Sequence, residues 1–204
     1  MREIVPTRSA ALALGEERRL MRQGFEFLDE KRMLLAGEML RQLRLWEAHR
    51  AEWQEAARLA RTALAAAVER HGLDALQLHP APTEAPPPPT ITPYRFLGVP
   101  MVEAGAVEAT PAPVAAAIDP SPEAVAVRLA FERLARLAAA IGVSASNLLR
   151  LAQEYRRIER RAKALENVLL PEVEVALKQV VEQLDAVDQE EAVRVQSAGR
   201  RAHG

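Results

Sequence analysis

The chain of 204 residues is long enough for one large or two small domains. Its 27 basic residues nearly balance 28 acidic ones, and the net charge of −1 argues against a non-specific nucleic-acid binder, whose surface is strongly basic. The lack of cysteine excludes disulfide scaffolds, thiolate metal sites and cysteine nucleophiles. About a fifth of the residues are alanine and only 4% are aromatic, which is typical of long helices packed along narrow seams.

The distribution of proline divides the sequence into three segments. Twelve of the 14 prolines lie between Pro80 and Pro122, and a proline inside a helix costs about 3 kcal/mol or more. We therefore expect a long helix within residues 1–72, a proline-rich middle segment over 73–121, and a second long helix with a tail over 122–204.

The first segment has the signals of a single helix. Thr7 after Pro6 is a suitable N-cap, and Gly72 stands where a glycine commonly follows the last turn. Its apolar residues repeat loosely at the spacing of a coiled-coil seam: Leu14, Met21, Phe25, Leu28, Leu35, Met39, Trp46, Trp53, Ala60 and Leu64. The two tryptophans are one heptad apart, which favours core packing over the alternative of a binding surface.

The second long segment begins with Ser121 as a candidate N-cap and Pro122 at the first helical position. Its apolar residues are spaced by alternating steps of four and three: Val127, Phe131, Leu134, Ala138, Ile141, Ala145, Leu148, Ala152, Tyr155, Ile158, Ala162, Leu165, Leu169, Val173, Ala176, Val180, Leu184 and Val187. This 3.5-residue repeat predicts a left-handed coiled coil. Pro171 interrupts the repeat and is predicted to kink the helix by removing one backbone hydrogen bond.

Neither helix is expected to be stable alone, because most helix stability comes from burying one face against a partner. The sequence therefore predicts an all-α fold, a long antiparallel two-helix coiled coil with a small insertion between the helices. In the insertion, short β-branched and aromatic runs on either side of Gly98 predict a β-hairpin. Four consecutive prolines from Pro86 predict a stretch of polyproline helix.

No catalytic or ligand-binding constellation is present in the sequence. The four histidines, His49, His71, His79 and His203, are too scattered to pair as metal ligands at helical spacing. No glycine-rich phosphate loop occurs, and no uncharged apolar run reaches the length of a membrane span. We therefore expect a non-catalytic cytoplasmic protein with no cofactor, no nucleic-acid partner and no direct membrane insertion.

The densest basic run is Arg156, Arg157, Arg160, Arg161 and Lys163. Its simplest interpretation is the solvated outer face of a coiled coil, with neighbouring glutamates as partners three or four residues away. The alternative interpretation is a docking patch for an acidic loop.

Three stretches in this order resemble a known family: residues 5–8, residues 24–35 with their glycine and LDEKR segment, and residues 162–171 ending in Leu170-Pro171. Together they resemble the D subunit of V-type (A/V-type) ATP synthases, the central rotor stalk. The turn at Gly98-Val99-Pro100 is similar to the hairpin of that family.

The resemblance implies a rotor subunit that transmits torque between an ATP-binding ring and the ion-translocating rotor in the membrane. The implied partners are the catalytic and regulatory subunits of the ring, a small central-stalk subunit, and a socket subunit on the membrane sector. The implied location is cytoplasmic and peripheral to the membrane. A coiled-coil stalk or adaptor of an export-apparatus ATPase remains the alternative, because it shares the helical-hairpin shape.

The resemblance also implies two sets of contact residues. The ring contacts are expected at Pro6, Thr7, Arg8, Leu184 and Val187. The contacts with the socket are expected at the other end of the helices, at Arg70, His71 and Glu123.

Overall fold

The computed structural model of the protein describes residues 5–77, 79, 90–105 and 121–202. The elements are α1 (Arg8–His71), α2 (Leu73–Gln77), β1 (Ile91–Phe96), β2 (Val99–Ala104), α3 (Pro122–Ala164), a π-helical turn (Leu165–Leu169) and α4 (Leu170–Ala202). This confirms the predicted all-α fold with a small β-hairpin between long helices. The polyproline stretch predicted from Pro86 lies outside the described residues. None of the described helices has an apolar stretch of the length needed to cross a bilayer.

The chain divides into two compact units, and α1 and α3 each continue through both. Unit 1 comprises Met1–Leu34 and Tyr155–Gly204, and unit 2 comprises Leu35–Glu154. Each unit is described by itself below.

Unit 1 is an antiparallel pair of helical segments. Its core is Leu14 with Val173 and Val180, and Ala11, Met21, Ala176, Leu177 and Leu184 pack against it. Arg8 pairs with Asp188 at 3.2 Å, and Arg22 pairs with Glu174 at 3.1 Å. Because the residue numbers of the α4 partners fall as those of the α1 residues rise, the two segments run in opposite directions.

The π-helical turn gives unit 1 one extra residue in its seam. Ile158 and Leu165 are seven residues apart, whereas Leu165 and Val173 are eight apart. The Leu170 N–H donates to the Leu165 carbonyl, five residues back, and this wider turn takes up the additional residue. Pro171 lies two residues after this turn, and the kink expected at Pro171 stays a prediction.

Unit 2 is built mainly on small and polar side chains. On α1 the buried residues are Leu35, Gln42, Ala56, Ala57, Ala60 and Ala67, and on α3 they are Ser144, Asn147 and Leu151. Alanine loses little side-chain entropy on burial, but it also buries little apolar area. The large aliphatic residues Leu35 and Leu151, both with 0% exposure, therefore contribute much of the apolar core.

The β-hairpin of unit 2 closes with a two-residue turn at Leu97 and Gly98, whose φ angles are 48° and 88°. Positive φ at both positions is the type I′ geometry that matches strand twist. Phe96 and Val99 flank the turn as a hydrogen-bonded pair. Pro93 lies three residues before Phe96 and Pro100 lies one residue after Val99, so the backbone of both prolines faces away from the partner strand. Proline lacks an N–H, so both prolines are placed where no ladder donor is lost.

Candidate partner-contact sites

The first candidate site is the start of α1 with the facing part of α4, in unit 1. Thr7 caps α1, because its Oγ1 accepts a hydrogen bond from the Ala10 N–H at 3.1 Å. The Arg8 guanidinium donates to both oxygens of Asp188, at 3.4 and 3.2 Å. Both side chains are exposed, so this ion pair adds little stability and leaves the two groups available at the surface.

The remaining residues of this site differ in their surroundings. Leu184 is half-buried against the core of unit 1, whereas Val187 and Pro6 are exposed. Beyond Asp188, α4 continues to Ala202, and every side chain from 185 to 198 is exposed. A solvated helical extension of this kind is marginally stable by itself, and its apolar Val193 and Val195 are exposed as well.

The second candidate site lies in unit 2, where α1 ends and α3 begins. Arg70 Nη1 donates to Glu123 Oε1 and Oε2 at 3.0 and 2.9 Å. The Glu123 carboxylate accepts a hydrogen bond from its own backbone N–H, and this contact and the Arg70 guanidinium lower the pKa of Glu123. The structure therefore brings together the arginine and the glutamate that the resemblance assigns to one end of the helices.

His71 belongs to the same cluster. Its Nε2 lies 2.7 Å from Ser121 Oγ, and that hydroxyl accepts a hydrogen bond from the Ala124 N–H at 3.1 Å, which makes Ser121 the N-cap of α3. Gly72 follows with a φ of 76°, and its N–H donates to the Val68 carbonyl, as expected for a glycine that ends a helix. These side-chain contacts thus join the end of α1 to the start of α3, and Ser121 also caps α3.

A third set of residues, which the sequence patterns did not indicate, attaches the hairpin to α3. Asn147 Nδ2 donates to the Val102 carbonyl at 2.7 Å, and the Val102 N–H donates to Asn147 Oδ1 at 3.0 Å. Arg150 donates to the Pro100 carbonyl at 3.3 Å. The side chain of one buried asparagine therefore bonds the backbone N–H and carbonyl of Val102 at the outer edge of β2, as a neighbouring strand would do. Polar residues inside the heptad pattern of α3 are the sequence signal that could have indicated this attachment.

An open groove of about 820 Å³ lies beside this attachment. It is lined by parts of α1, the hairpin and α3, including Arg41, Gln42, His49 and Tyr94. Arg41 and Gln42 both donate to Glu38, and the Arg41 guanidinium lowers the pKa of Glu38 below its usual value of 4.5. No group of three or more metal-ligating side chains is found among the described residues.

The predicted seam residues differ in burial. Leu35 and Ile158 are buried, Leu169 is exposed, and six others are half-buried: Leu28, Trp46, Trp53, Leu148, Tyr155 and Leu165. In unit 2 the buried positions on α3 are Ser144, Asn147 and Leu151, each one residue before a predicted seam position. The predicted pattern consisted of apolar positions, so it did not include the buried polar residues Ser144 and Asn147.

Two comparisons with known proteins bear on this chain. The family model for the D subunit of ATP synthase matches residues 10–200. The D subunit of the V-type ATP synthase of Anaeromyxobacter dehalogenans (strain 2CP-C) is 28% identical over 198 residues, which cover 96% of this chain and 95% of that protein. The corresponding V-type ATP synthase D subunit of Anaeromyxobacter sp. (strain K) is 27% identical over the same length and coverage.

Proposed function

Because the chain belongs to the family of ATP synthase D subunits, we propose that it is the central stalk subunit of a rotary V-type ATPase. In this role it transmits torque between the ATP-binding ring and the ion-translocating rotor in the membrane. The observation that supports the proposal most is α1, one unbroken helix of 64 residues that has antiparallel helical partners in both units. At 1.5 Å per residue it is about 95 Å long.

Paired helices suit this mechanical role. A single helix in water bends and frays, whereas a helix packed along one face resists both. Torque also requires contacts that differ with rotational angle, because each subunit of the ring must be biased towards a different state. The ATP-binding groups belong to the catalytic and regulatory subunits of the ring in this proposal, and the chain itself is structural and needs no cofactor.

The two candidate sites have distinct proposed partners. The exposed end of α4, with Pro6, Thr7, Arg8, Leu184 and Val187, enters the ring. The cluster of Arg70, His71 and Glu123 seats on the socket subunit of the membrane sector, and a small stalk subunit binds beside the middle. The chain would then work in the cytoplasm as part of a membrane-bound complex.

The family match favours this function over an export-apparatus stalk, which has the same helical-hairpin form. The test is mass spectrometry of the intact complex purified through this chain from its own cells. We expect a nucleotide-hydrolysing ring with two kinds of large subunit. A ring of six identical subunits would support the export stalk and reject the proposal.

Truncation tests the ring contacts. Removing the residues before Ser9 and after Gln189 deletes Pro6, Thr7 and Arg8 together with the exposed end of α4. It keeps Leu184 and Val187 and leaves the core of unit 1 in place. We expect ATP-driven rotation to be weakly coupled to hydrolysis in the truncated complex, while circular dichroism shows that the helices still form. Unchanged rotation would reject the role assigned to these ends.

A further inference from the structure

The seam of unit 1 is well packed on either side of the π-helical turn and loosely packed at the turn itself. Ile158 and Ala162 are buried on the N-terminal side of the turn. Val173 and Val180 are buried on its C-terminal side. Residues 163–172, all of which the structure describes, include no buried side chain. The turn therefore lies in a gap of ten residues in the buried seam of this helix.

The stretch of α1 that faces the turn has a similar gap. Residues 15–34, which the structure also describes in full, include no buried side chain. Arg22 pairs with Glu174 at 3.1 Å, and a β-carbon added at Gly24 would lie 3.8 Å from Leu165 Cδ1. A glycine inside a helix costs about 1 kcal/mol relative to alanine. A weak point of α1 in helix propensity therefore lies opposite the π-helical turn.

The backbone hydrogen bonding is weakened at the same level of the pair. The Leu170 N–H donates to the carbonyl five residues before it, and Pro171 has no N–H to donate. Helices bend sharply almost only at features such as π-helical turns and prolines. A stretch with few buried contacts also opens at a lower free energy than a packed one. Weak packing and irregular hydrogen bonding thus coincide in one short part of unit 1.

The part of unit 1 beyond the turn keeps a regular register. Between the ion pairs Arg8–Asp188 and Arg22–Glu174 both helices advance by 14 residues, which is two heptads. Leu14 is buried between the two pairs, within the core cluster of this unit. We therefore expect this part to move as one body, because its two helices are packed in step with each other.

We propose that residues 163–172 and the facing part of α1 form a mechanical joint inside unit 1. The part that carries the Leu14 core cluster tilts as a body relative to the part that carries Ile158, and the loose seam between them takes up the bending. The joint deepens the proposed function, and only its use rests on that function. In the complex, the end with Arg8 and Asp188 stays seated in the ring while the shaft bends beside it.

A rigid correction of the register is the alternative interpretation of the π-helical turn. An inserted residue requires neither a proline shortly after it nor a glycine on the facing helix, and it can be packed under a buried side chain. The joint accounts for the coincidence of all these features. A rigid correction fixes one direction for the helix on each side of the turn, whereas a joint allows a range of directions.

Distances between two spin labels on the full-length chain test the proposal. The chain has no cysteine, so Arg160→Cys with Gln183→Cys places one label on each side of the turn, about 35 Å apart along the helix. The control pair, Ala126→Cys with Leu149→Cys, lies within α3 in unit 2 at the same separation of 23 residues, and all four positions are exposed.

Double electron–electron resonance measures the distribution of each distance. We expect the distribution across the turn to be at least about twice as wide as that of the control pair. Equal widths would overturn the proposal, because a rigid turn holds its two labels as firmly as regular helix does.

A stiffened variant assigns the width to the joint. Gly24→Ala with Pro171→Ala raises the helix propensity of both helices and restores a backbone donor, and the space beside Gly24 admits the added methyl group. We expect the distribution to narrow by at least about a third, and amide hydrogen exchange of residues 163–172 to slow at least about tenfold. Circular dichroism verifies that the variant stays folded.

Gly142→Ala is the matched control, because a β-carbon at this glycine also meets open space. It should change neither the width across the turn nor the exchange of residues 163–172. The proposal is overturned if the stiffened variant leaves the width unchanged, or if the control narrows it as much.

These measurements use the chain alone, so they separate the joint from the proposed function. If the ring co-purifies as proposed but the two label pairs give equal widths, the joint is rejected and the proposed function stands. If no ring co-purifies, the proposed function is rejected and the label distances still decide whether the joint exists.

Discussion

Unit 1 and unit 2 use different chemistry to hold two antiparallel helical segments together. Unit 1 packs Leu14 against Val173 and Val180. Unit 2 replaces many of these aliphatic contacts with alanine and with buried polar groups such as Gln42 and Asn147. The buried polar groups of unit 2 do not bond the two helical segments to each other: Gln42 donates to Glu38 of its own helix, and Asn147 pairs with Val102 of the hairpin. The difference shows that a seam poor in large aliphatic residues can bury polar groups that attach a further element. The hairpin is attached where those hydrogen bonds occur.

The largest effect is expected from a deletion that shifts the register of the two helical segments in unit 1. Deleting Gln179, between Val173 and Val180, would turn every later seam residue of α4 away from the core. We expect a loss of at least about 3 kcal/mol in the free energy of unfolding, since buried aliphatic side chains become exposed. Deleting Val168 instead removes the extra residue of the π-helical turn and restores a seven-residue step from Leu165 to Val173. Urea titration should show that this second deletion lowers the free energy of unfolding by less than about 1 kcal/mol. Equal losses for the two deletions would contradict the role given to this turn.

A smaller effect is expected in the apolar core of unit 2. Leu35→Ala removes one of its few large, fully buried aliphatic residues and should lower the free energy of unfolding by about 3 kcal/mol. The control Leu59→Ala changes an exposed leucine of the same helix and should cost less than about 1 kcal/mol. A loss below about 1 kcal/mol at Leu35 would mean that alanine packing alone holds this unit.

The attachment of the hairpin comes next. Asn147→Ala removes two hydrogen bonds and leaves the Val102 N–H and carbonyl without their partner, so we expect a loss of about 2 kcal/mol. Amide hydrogen exchange at Val102 should accelerate together with that of its neighbours in β2. The control Gln153→Ala, at an exposed position of α3, should change neither quantity. Unchanged protection of Val102 in the Asn147 variant would show that other contacts hold the hairpin.

The smallest expected effect depends on pH. The hydrogen bond from Arg41 lowers the pKa of Glu38, so the folded state binds a proton less readily there than the unfolded state. The stabilisation is therefore present above the unfolded pKa and is lost as pH falls through the folded pKa. Arg41→Gln should destabilise the protein by less than about 1 kcal/mol at pH 7, because Arg41 is largely exposed. Thermal melts should show that this difference disappears in acid, and a difference that persists there would exclude Glu38 as its source.

The sequence predicted unit 1 better than unit 2 for a physical reason. A seam of aliphatic residues shows in the hydrophobic pattern, and the helix ends at Thr7, Gly72 and Ser121 follow from local capping rules. Buried polar residues look like surface residues in that pattern, so Ser144 and Asn147 shifted the predicted seam of α3 by one position. The π-helical turn had a signal, since Leu165, Leu169 and Val173 are separated by two successive steps of four just before and across Pro171.

The candidate sites, like the fold, could be predicted only in part from the sequence. The resemblance placed Arg70, His71 and Glu123 at one end of the helices, and the structure brings them together. The side chains that bind the hairpin had no motif, because one asparagine that pairs with a backbone can lie at any position. Contacts with the ring and the socket stay predictions.

Rotation of this chain relative to the ring is the most direct test of the proposed function. The chain has no cysteine, so Thr92→Cys on the exposed face of β1 gives a unique site for a bead or gold particle. With the ring fixed to a surface, ATP should drive the particle in one direction in discrete steps that stop when ATP is removed. A ring that hydrolyses ATP at its full rate while the particle stays fixed would contradict the proposal that this chain transmits torque.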